Sequence, residues 1–274
     1  MKNLNANGAN IPAIGMGTWQ LKGDECAQIV RQALEAGYRN IDTAIMYENE
    51  TAVGEGLKAA AKLREDYLVT TKVWPTDVRD GTFQKAVEGS LKRLDCGAVD
   101  LLLIHWPPKT EGPEEWAKLL DWAVDEGMTR HVGVSNFTSH QLKAIVQACN
   151  HPIACNQVEN HPYLDQTILQ QACRSLGVAL IAYCPLYRGG PLFEEMAVTD
   201  AARAHGKSAA QVVLRWHVQH DGAGAIPKTA TPARLHENID IFDFELSPAE
   251  MAAISALGMA NERICDFEFS PDWD

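Results

Sequence analysis

The chain has 274 residues, is 46% hydrophobic and 22% charged, and carries a formal net charge of −12. That acidity argues against nucleic acid and anionic membrane surfaces as main partners, although a local group of Lys and Arg can still meet a small anion. No apolar run approaches the ~20 residues that span a bilayer, no signal-like stretch follows the first residues, and the seven cysteines lack CxxC spacing, so a reduced, soluble, cytoplasmic protein is expected.

In chain order, residues 4–11 come first, where Asn7-Gly8 between short flanks predicts a tight hairpin. Lying before a first strand over 13–17, it would plug the N-terminal end of a barrel. Gly15-Met16-Gly17 superficially resembles a dinucleotide fingerprint, but the third Gly is missing and no helix start follows, so the match is discounted. Cys26, Ile29, Val30, Ala33 and Leu34 then form the stripe of a helix packed by one face. Phe83, Ala86, Val87, Ser90, Leu91 and Leu94 repeat it. Helix ends are expected at Gly37, Gly97, Gly127 and Gly177. Strand-like runs alternate with helical segments eight times, and the runs are continuously apolar, as in strands covered on both faces. With no linker or composition break, this predicts an α/β chain with one domain over 1–274. A doubly wound sheet is the competing architecture. After the last strand, helices are expected over 231–241 and 247–257, the second opening with Ser247-Pro248-Ala249-Glu250 as cap, N1 proline and capping-box glutamate. The last stretch, 265–274, reads as a loop.

The apolar runs share a second property: each stops at a polar residue. Run 40–41 stops at Asp42, 67–71 at Lys72, 99–104 at His105, and 131–134 at Ser135-Asn136. Run 153–156 stops at Gln157, 178–182 at Tyr183, and 223–227 at Lys228. Parallel strands would bring these ends to one rim, where parallel α/β folds place active sites. The chain therefore reads as an enzyme or the remnant of one.

Asp42, Tyr47, Lys72 and His105 form the constellation with the clearest chemistry. A tyrosine acid working near neutrality needs its phenolate stabilised by ~3 pKa units, or ~4 kcal/mol. A Lys ammonium ~4 Å away supplies about that at an effective dielectric of 20. Lys72 is the candidate, with Asp42 keeping it charged and His105 orienting a substrate oxygen. Such a tyrosine protonates a new alkoxide, the second half of carbonyl reduction, with hydride delivered by a cofactor. Lys72 alone also suits an aldolase Schiff base. His105, His131 and His161 are weighed as metal ligands and rejected, because His131 begins its strand rather than ending it. Trp19, Trp74 and Trp106 each follow a rim position and read as pocket walls. Trp273 is as well read as core. Cys155, Cys173 and Cys184 read as buried free thiols. Lys228 and Arg234, six residues apart, suit a ribose 2′-phosphate, whereas an NAD site would more naturally offer a carboxylate.

These segments together resemble the aldo-keto reductase superfamily. Ile41-Asp42-Thr43-Ala44-Ile45-Met46-Tyr47-Glu48-Asn49-Glu50 is similar to its tyrosine signature, Thr71-Lys72-Val73-Trp74 to its lysine segment, and Leu103-Ile104-His105-Trp106-Pro107 to its histidine segment. Residues 226–238 resemble its cofactor-tail signature. The resemblance spans 13–241 and implies a (β/α)8 TIM barrel with an N-terminal hairpin and two extra helices. It also implies NADPH as cofactor, bound by Thr18, Asp42, Ser135, Asn136, Gln157, Tyr183, Leu186, Lys228, Thr229, Arg234, Glu237 and Asn238. Ser135, Asn136 and Gln157 would hold the nicotinamide carboxamide, Tyr183 would stack under the ring, and Glu237 and Asn238 would meet the adenine. Substrate would lie among Trp19, Tyr47, Trp74, His105 and Trp106. The short chain and its ending, Ser270-Pro271-Asp272-Trp273-Asp274, look most like bacterial 2,5-diketo-D-gluconate reductases. Cys184, where Ser is commoner, and Tyr187-Arg188-Gly189-Gly190 depart from the family pattern along the pyrophosphate. The short loop 106–112 implies an open pocket for small polar substrates such as keto-sugar acids, dicarbonyls and activated aldehydes. A monomer is expected, with no metal. A non-catalytic, cofactor-sensing barrel is the alternative function.

Overall fold

The computed structural model describes residues 2–110 and 112–274; Met1 and Glu111, the latter inside the loop expected to leave the pocket open, lie outside them. The chain opens as the expected hairpin, β1 (Asn3–Ala6) against β2 (Ala9–Pro12). Asn7 and Gly8 turn it with φ of 46° and 87°, left-handed at both central positions as the tight turn requires. Asn7 Nδ2 donates to the carbonyls of Ile153 at 2.9 Å and Leu176 at 3.1 Å, which ties the turn to two elements far along the chain.

Eight parallel strands follow: β3 (Met16–Gly17), β4 (Asn40–Asp42), β5 (Leu68–Val73), β6 (Val99–Ile104), β7 (Thr129–Ser135), β8 (Ile153–Glu159), β9 (Ala179–Tyr183) and β10 (Ala223–Ala225). Each pairs with its neighbours in sequence. The sheet curls until its ends meet, with Ala225 N donating to Ala13 O at 2.8 Å and Gly15 N to Ala225 O at 2.9 Å. The result is a (β/α)8 barrel. The two glycines that imitate a nucleotide fingerprint belong to this seam. A Cβ on Gly17 would lie 2.9 Å from the Ile226 carbonyl, and one on Gly15 would lie 2.7 Å from Asn40 Nδ2.

The helices are α1 (Gly23–Ala36), α2 (Glu50–Ala59), α3 (Thr82–Leu94), α4 (Pro113–Asp125), α5 (Ser139–Ala148), α6 (Thr167–Ser175), α7 (Met196–His205), α8 (Ala209–Gln219), α9 (Pro232–Ile239) and α10 (Pro248–Ser255). The stripe Cys26, Ile29, Val30, Ala33 and Leu34 is buried as its spacing predicts. Both helices expected after the last strand are present, but α9 is the eighth barrel helix. One extra helix is therefore α10, and the other lies between β9 and β10, where α7 precedes α8. Val198 and Ala201 of α7, Val212, Val213 and Trp216 of α8, and Ile254 of α10 form a second apolar cluster beside the main core. Several boundaries also differ from expectation, β3 beginning at Met16 instead of residue 13. Asp95, at φ 46°, caps α3 instead of Gly97. β7 starts at Thr129, so His131 is its third residue; it still sits four positions before the rim. No described helix is long and apolar enough to cross a membrane.

Behind the rim, α2, α3 and β5 meet at one buried carboxylate. Glu50, 1% exposed, accepts from Thr71 Oγ1 at 2.6 Å, from the Ser90 hydroxyl, and from Arg93 Nε at 2.8 Å. Removing it strands two buried hydroxyls, while the half-exposed Arg93 can turn to water. Glu50→Ala should lower unfolding free energy by about 3 kcal/mol, read as a shifted urea midpoint with an unchanged slope.

Candidate active site

The polar strand ends do converge on one rim. Asp42 ends β4, Lys72 is the penultimate residue of β5, and His105 follows β6 directly. Tyr47 reaches the same place through a single 3₁₀ turn, Ile45–Tyr47, closed by Glu48 at φ 54°. Lys72 is fully buried and all three of its N–H donors are used: Asp42 Oδ1 at 2.6 Å, the Thr43 carbonyl at 2.8 Å and Tyr47 Oη at 3.3 Å. Across the barrel interior, Gln157 Nε2 on β8 donates to Asp42 Oδ2 at 2.6 Å. The centroid of the Tyr47 ring lies 4.8 Å from that of Trp19 and 5.6 Å from that of His105, and His105 is 5.2 Å from Trp74.

Burial and charge compete at each of these groups. For Lys72, burial lowers the pKa, but Asp42 and Tyr47 outweigh it and hold the ammonium above its ordinary value. For Tyr47 the balance runs the other way. Burial raises the phenol more than Lys72 lowers it, so the hydroxyl sits above its usual pKa. This corrects the expectation of a phenol brought toward neutrality, which counted the ammonium and omitted desolvation. Burial, helped by Lys72, pushes His105 well below the usual imidazole range, so its ring is neutral. Nδ1 of that ring is buried without a partner.

A second polar group lies beside the first. Ser135 Oγ donates to the Gln157 carbonyl at 2.7 Å, Asn136 Nδ2 to the His105 carbonyl at 3.0 Å, and Tyr183 Oη to Asn136 Oδ1 at 2.7 Å. Asn136 holds a left-handed φ of 66° to do so. Thr18 is buried, and its hydroxyl donates to the Asp42 carbonyl at 3.0 Å. Leu186 is half-buried between the two apolar clusters. Farther out, Thr229 Oγ1 accepts from Thr231 N at 2.9 Å, ahead of α9. Lys228 and Arg234 are exposed, Glu237 accepts from the Ser208 hydroxyl, and Asn238 is buried.

The chain end alters the expected open pocket. It is a loop, as predicted, but it folds over the rim. The Phe269 ring packs 5.6 Å from Trp74 and 5.1 Å from Trp106, while Phe267 and Trp273 lie 5.9 Å and 6.0 Å from Trp106. Trp106 is thereby 5% exposed, whereas Trp19 is 43% exposed. Glu159 at the end of β8 anchors this segment, accepting from Ile264 N at 2.6 Å, Cys265 N at 2.7 Å and His161 Nε2 at 2.8 Å. Burial would raise this carboxyl, but those donors outweigh it and keep the pKa low. Sequence reasoning missed Glu159, Phe267 and Phe269. The signal available for Glu159 was its place two residues beyond Gln157, on the same face of the strand.

The family model of the Aldo/keto reductase family matches residues 13–258. The chain belongs to this family. Among relatives of this aldo-keto reductase, glyoxal reductase of Bacillus subtilis is 41% identical over 259 residues, covering 94% of this chain and 92% of that protein. A crystal structure provisionally assigned as a 2,5-diketo-D-gluconic acid reductase B superposes with a TM-score of 0.97 at 43% identity, covering 100% of this chain and 98% of that one. A Bombyx mori aldo-keto reductase in complex with NADP gives 0.92 at 33% identity, covering 99% and 97%. As a family member, the protein is an oxidoreductase of the carbonyl–alcohol class.

The buried neutral histidines of this aldo-keto reductase set an acid limb. His217 is held at about 3 by burial, and His105 moves in the same direction. Below an unfolded pKa of about 6.5, the unfolded chain takes up protons that the folded one refuses, so stability present above 6.5 is lost as pH falls. His217 alone should remove about 2 kcal/mol between pH 6.5 and 5. Urea midpoints followed over that range should decline, and His105→Gln should decline less steeply than wild type.

Proposed function

We propose that this protein reduces aldehyde and ketone groups of small polar substrates, among them dicarbonyls, keto-sugar acids and activated aldehydes, with NADPH as reductant and Tyr47 as proton donor. The unbroken series Gln157–Asp42–Lys72–Tyr47, with the Lys72–Tyr47 contact at 3.3 Å, carries this reading. Tyr47 stays a phenol at neutral pH and therefore holds a proton ready. As negative charge grows on the carbonyl oxygen, Tyr47 Oη gives up that proton, and the phenolate left behind faces the Lys72 ammonium. At 3.3 Å and an effective dielectric of 20 the attraction is about 5 kcal/mol. Asp42 keeps that ammonium charged, and Gln157 fixes the second Asp42 oxygen. His105 has one N–H to place. Nδ1 has no acceptor, so the proton belongs on Nε2, where it orients the substrate oxygen. A non-catalytic cofactor sensor has no need of this intact proton path.

The residues present suit NADPH. Tyr183 is half-buried with its hydroxyl pinned by Asn136, which fixes its ring for stacking. Ser135, Asn136 and Gln157 cluster beside it as amide-binding groups. Lys228 and Arg234 are exposed and enter no ion pair among the described residues, leaving two cations for a 2′-phosphate. When bound, the cofactor supplies hydride to the carbonyl carbon. The Bombyx mori neighbour with NADP supports the assignment.

Tyr47→Phe should abolish turnover of methylglyoxal while NADPH binding, followed by fluorescence quenching, stays within a few-fold of wild type. Lys72→Met should also be inactive. A turning-over Phe variant would end the assignment of Tyr47 as the acid. NADPH should bind more tightly than NADH by at least about 2 kcal/mol, the lower range for charge-assisted hydrogen bonds. Arg234→Ala should remove most of that difference, and equal dissociation constants in the wild-type protein would refute it.

A further inference from the structure

Asn49 stands where an asparagine usually caps a helix, and its side chain does not cap. Its carbonyl opens α2 by accepting from Val53 N at 2.9 Å, yet its amide takes no backbone N–H of that helix, although asparagine is among the best side chains for the task. The amide is turned inward and buried. Oδ1 accepts from Thr43 Oγ1 at 2.8 Å, and Nδ2 donates to the carbonyls of Thr18 at 2.9 Å and Leu21 at 3.0 Å. Two carbonyls face one end of the amide, so only its nitrogen can stand there. Breaking such a buried set leaves polar groups without partners.

These partners belong to two pieces of the site. Thr18 and Leu21 bracket Trp19 and Gln20 in the loop between β3 and α1. Gln20 holds a left-handed φ of 66°, a conformation that persists only where the surroundings dictate it. Thr43 follows Asp42, and its carbonyl accepts from Lys72 at 2.8 Å. Asn49 itself lies two residues past Tyr47. From the outer side, Lys22 Nζ donates to the Tyr47 carbonyl at 2.6 Å. The Trp19 loop and the Tyr47 turn are thus joined by a buried amide on one side and an exposed ammonium on the other. Trp19 depends on that support. Among the described residues its indole makes no hydrogen bond, and its ring contact is with Tyr47 at 4.8 Å. The chain-end rings that brace Trp74 and Trp106 do not pack on it.

We propose that Asn49 is a positioning residue for substrate binding: by holding the Thr18 and Leu21 carbonyls it seats the Trp19 indole against the Tyr47 ring, so that a planar carbonyl compound meets wall and proton donor in one register. A side chain already held in its bound arrangement spares binding an ordering cost. Asn49 does not touch the reacting atoms, and Lys72 keeps Asp42 without it, so its loss falls on KM more than on kcat. The inference rests on the reductase reading above.

The test is a double-mutant cycle on Asn49 and Trp19, read as KM and kcat for 4-nitrobenzaldehyde. Asn49→Ala should raise KM at least about fivefold, the worth of one hydrogen bond, and lower kcat by no more than about threefold. Trp19→Ala should raise KM as well. The double variant should be no worse than the poorer single one, because an indole that is gone cannot be unseated. Additive KM effects, or a loss confined to kcat, would overturn the assignment. A spectroscopic readout reports the seating directly. With the seven tryptophans replaced by 5-fluorotryptophan, the fluorine line missing from Trp19→Ala identifies Trp19. It should be single and narrow in the wild-type protein, and should shift or broaden in Asn49→Ala while the remaining lines hold their positions. A Trp19 line already split or broadened by exchange in the wild-type protein would overturn the seating, a readout that stands even if the Asn49 variant fails to fold. No reduction of the aldehyde by the wild-type protein would overturn the reductase reading and the role in substrate binding with it. Turnover with additive KM effects would overturn only the role of Asn49.

Discussion

A lysine ammonium and an aspartate carboxylate sit together at the mouth of this barrel with no access to water, and the rest of the site is arranged around that pair. Removing two charges from solvent costs several kcal/mol per ion unless every donor and acceptor finds a partner. Here they do: Lys72 spends its three N–H groups on Asp42, Thr43 and Tyr47, and Asp42 receives Lys72 and Gln157. Those partners come from β4, the turn after it, β5 and β8. The pair is therefore satisfied only when strands on opposite sides of the barrel are both in register, so the chemistry and the fold share one requirement.

A second buried carboxylate does different work. Asp42 pairs with Lys72 at the rim, whereas Glu159 holds the chain end. By accepting two consecutive backbone amides and an imidazole, Glu159 converts an aperiodic tail into part of the wall. The Phe269 and Trp106 rings, 5.1 Å apart, then close one side of a mouth that the short loop after β6 would leave low. The opposite side, at Trp19, stays exposed.

The barrel and its four central residues were legible because both depend on short-range pattern. A continuously apolar run ending in a polar residue marks a buried parallel strand and its rim, and this located Asp42, Lys72, His105, Ser135 and Gln157 without any tertiary information. What the pattern could not carry falls into two kinds. Glu159, Phe267 and Phe269 lie past a rim position or in a segment without periodicity, so only three-dimensional contact reveals that Glu159 holds the 264–265 backbone and that the two phenylalanines pack on Trp106. The sign of the Tyr47 shift was misjudged for a related reason: a charge partner can be read from residue types, but the depth of burial opposing it cannot. The extra helix was expected after the last strand because α9 and α10 follow it, yet α7 is the helix outside the eightfold alternation before β10.

The seam of the barrel joins Ile14 to Ala225, positions near the two ends of the chain. The free edge of β3 is capped by β10, far along the chain, and the Asn7 side chain donates to the carbonyls of Ile153 and Leu176. On a ribosome adding about 5–20 residues per second, that edge waits roughly 10–40 s for its partner strand. During that interval β3 and the growing sheet present unpaired backbone to the cell, and this is the stage at which the chain is most exposed to edge-to-edge aggregation. The two glycines at the seam, with no side chain to obstruct the late approach of Ile226, are what allow the wait to end in a closed ring.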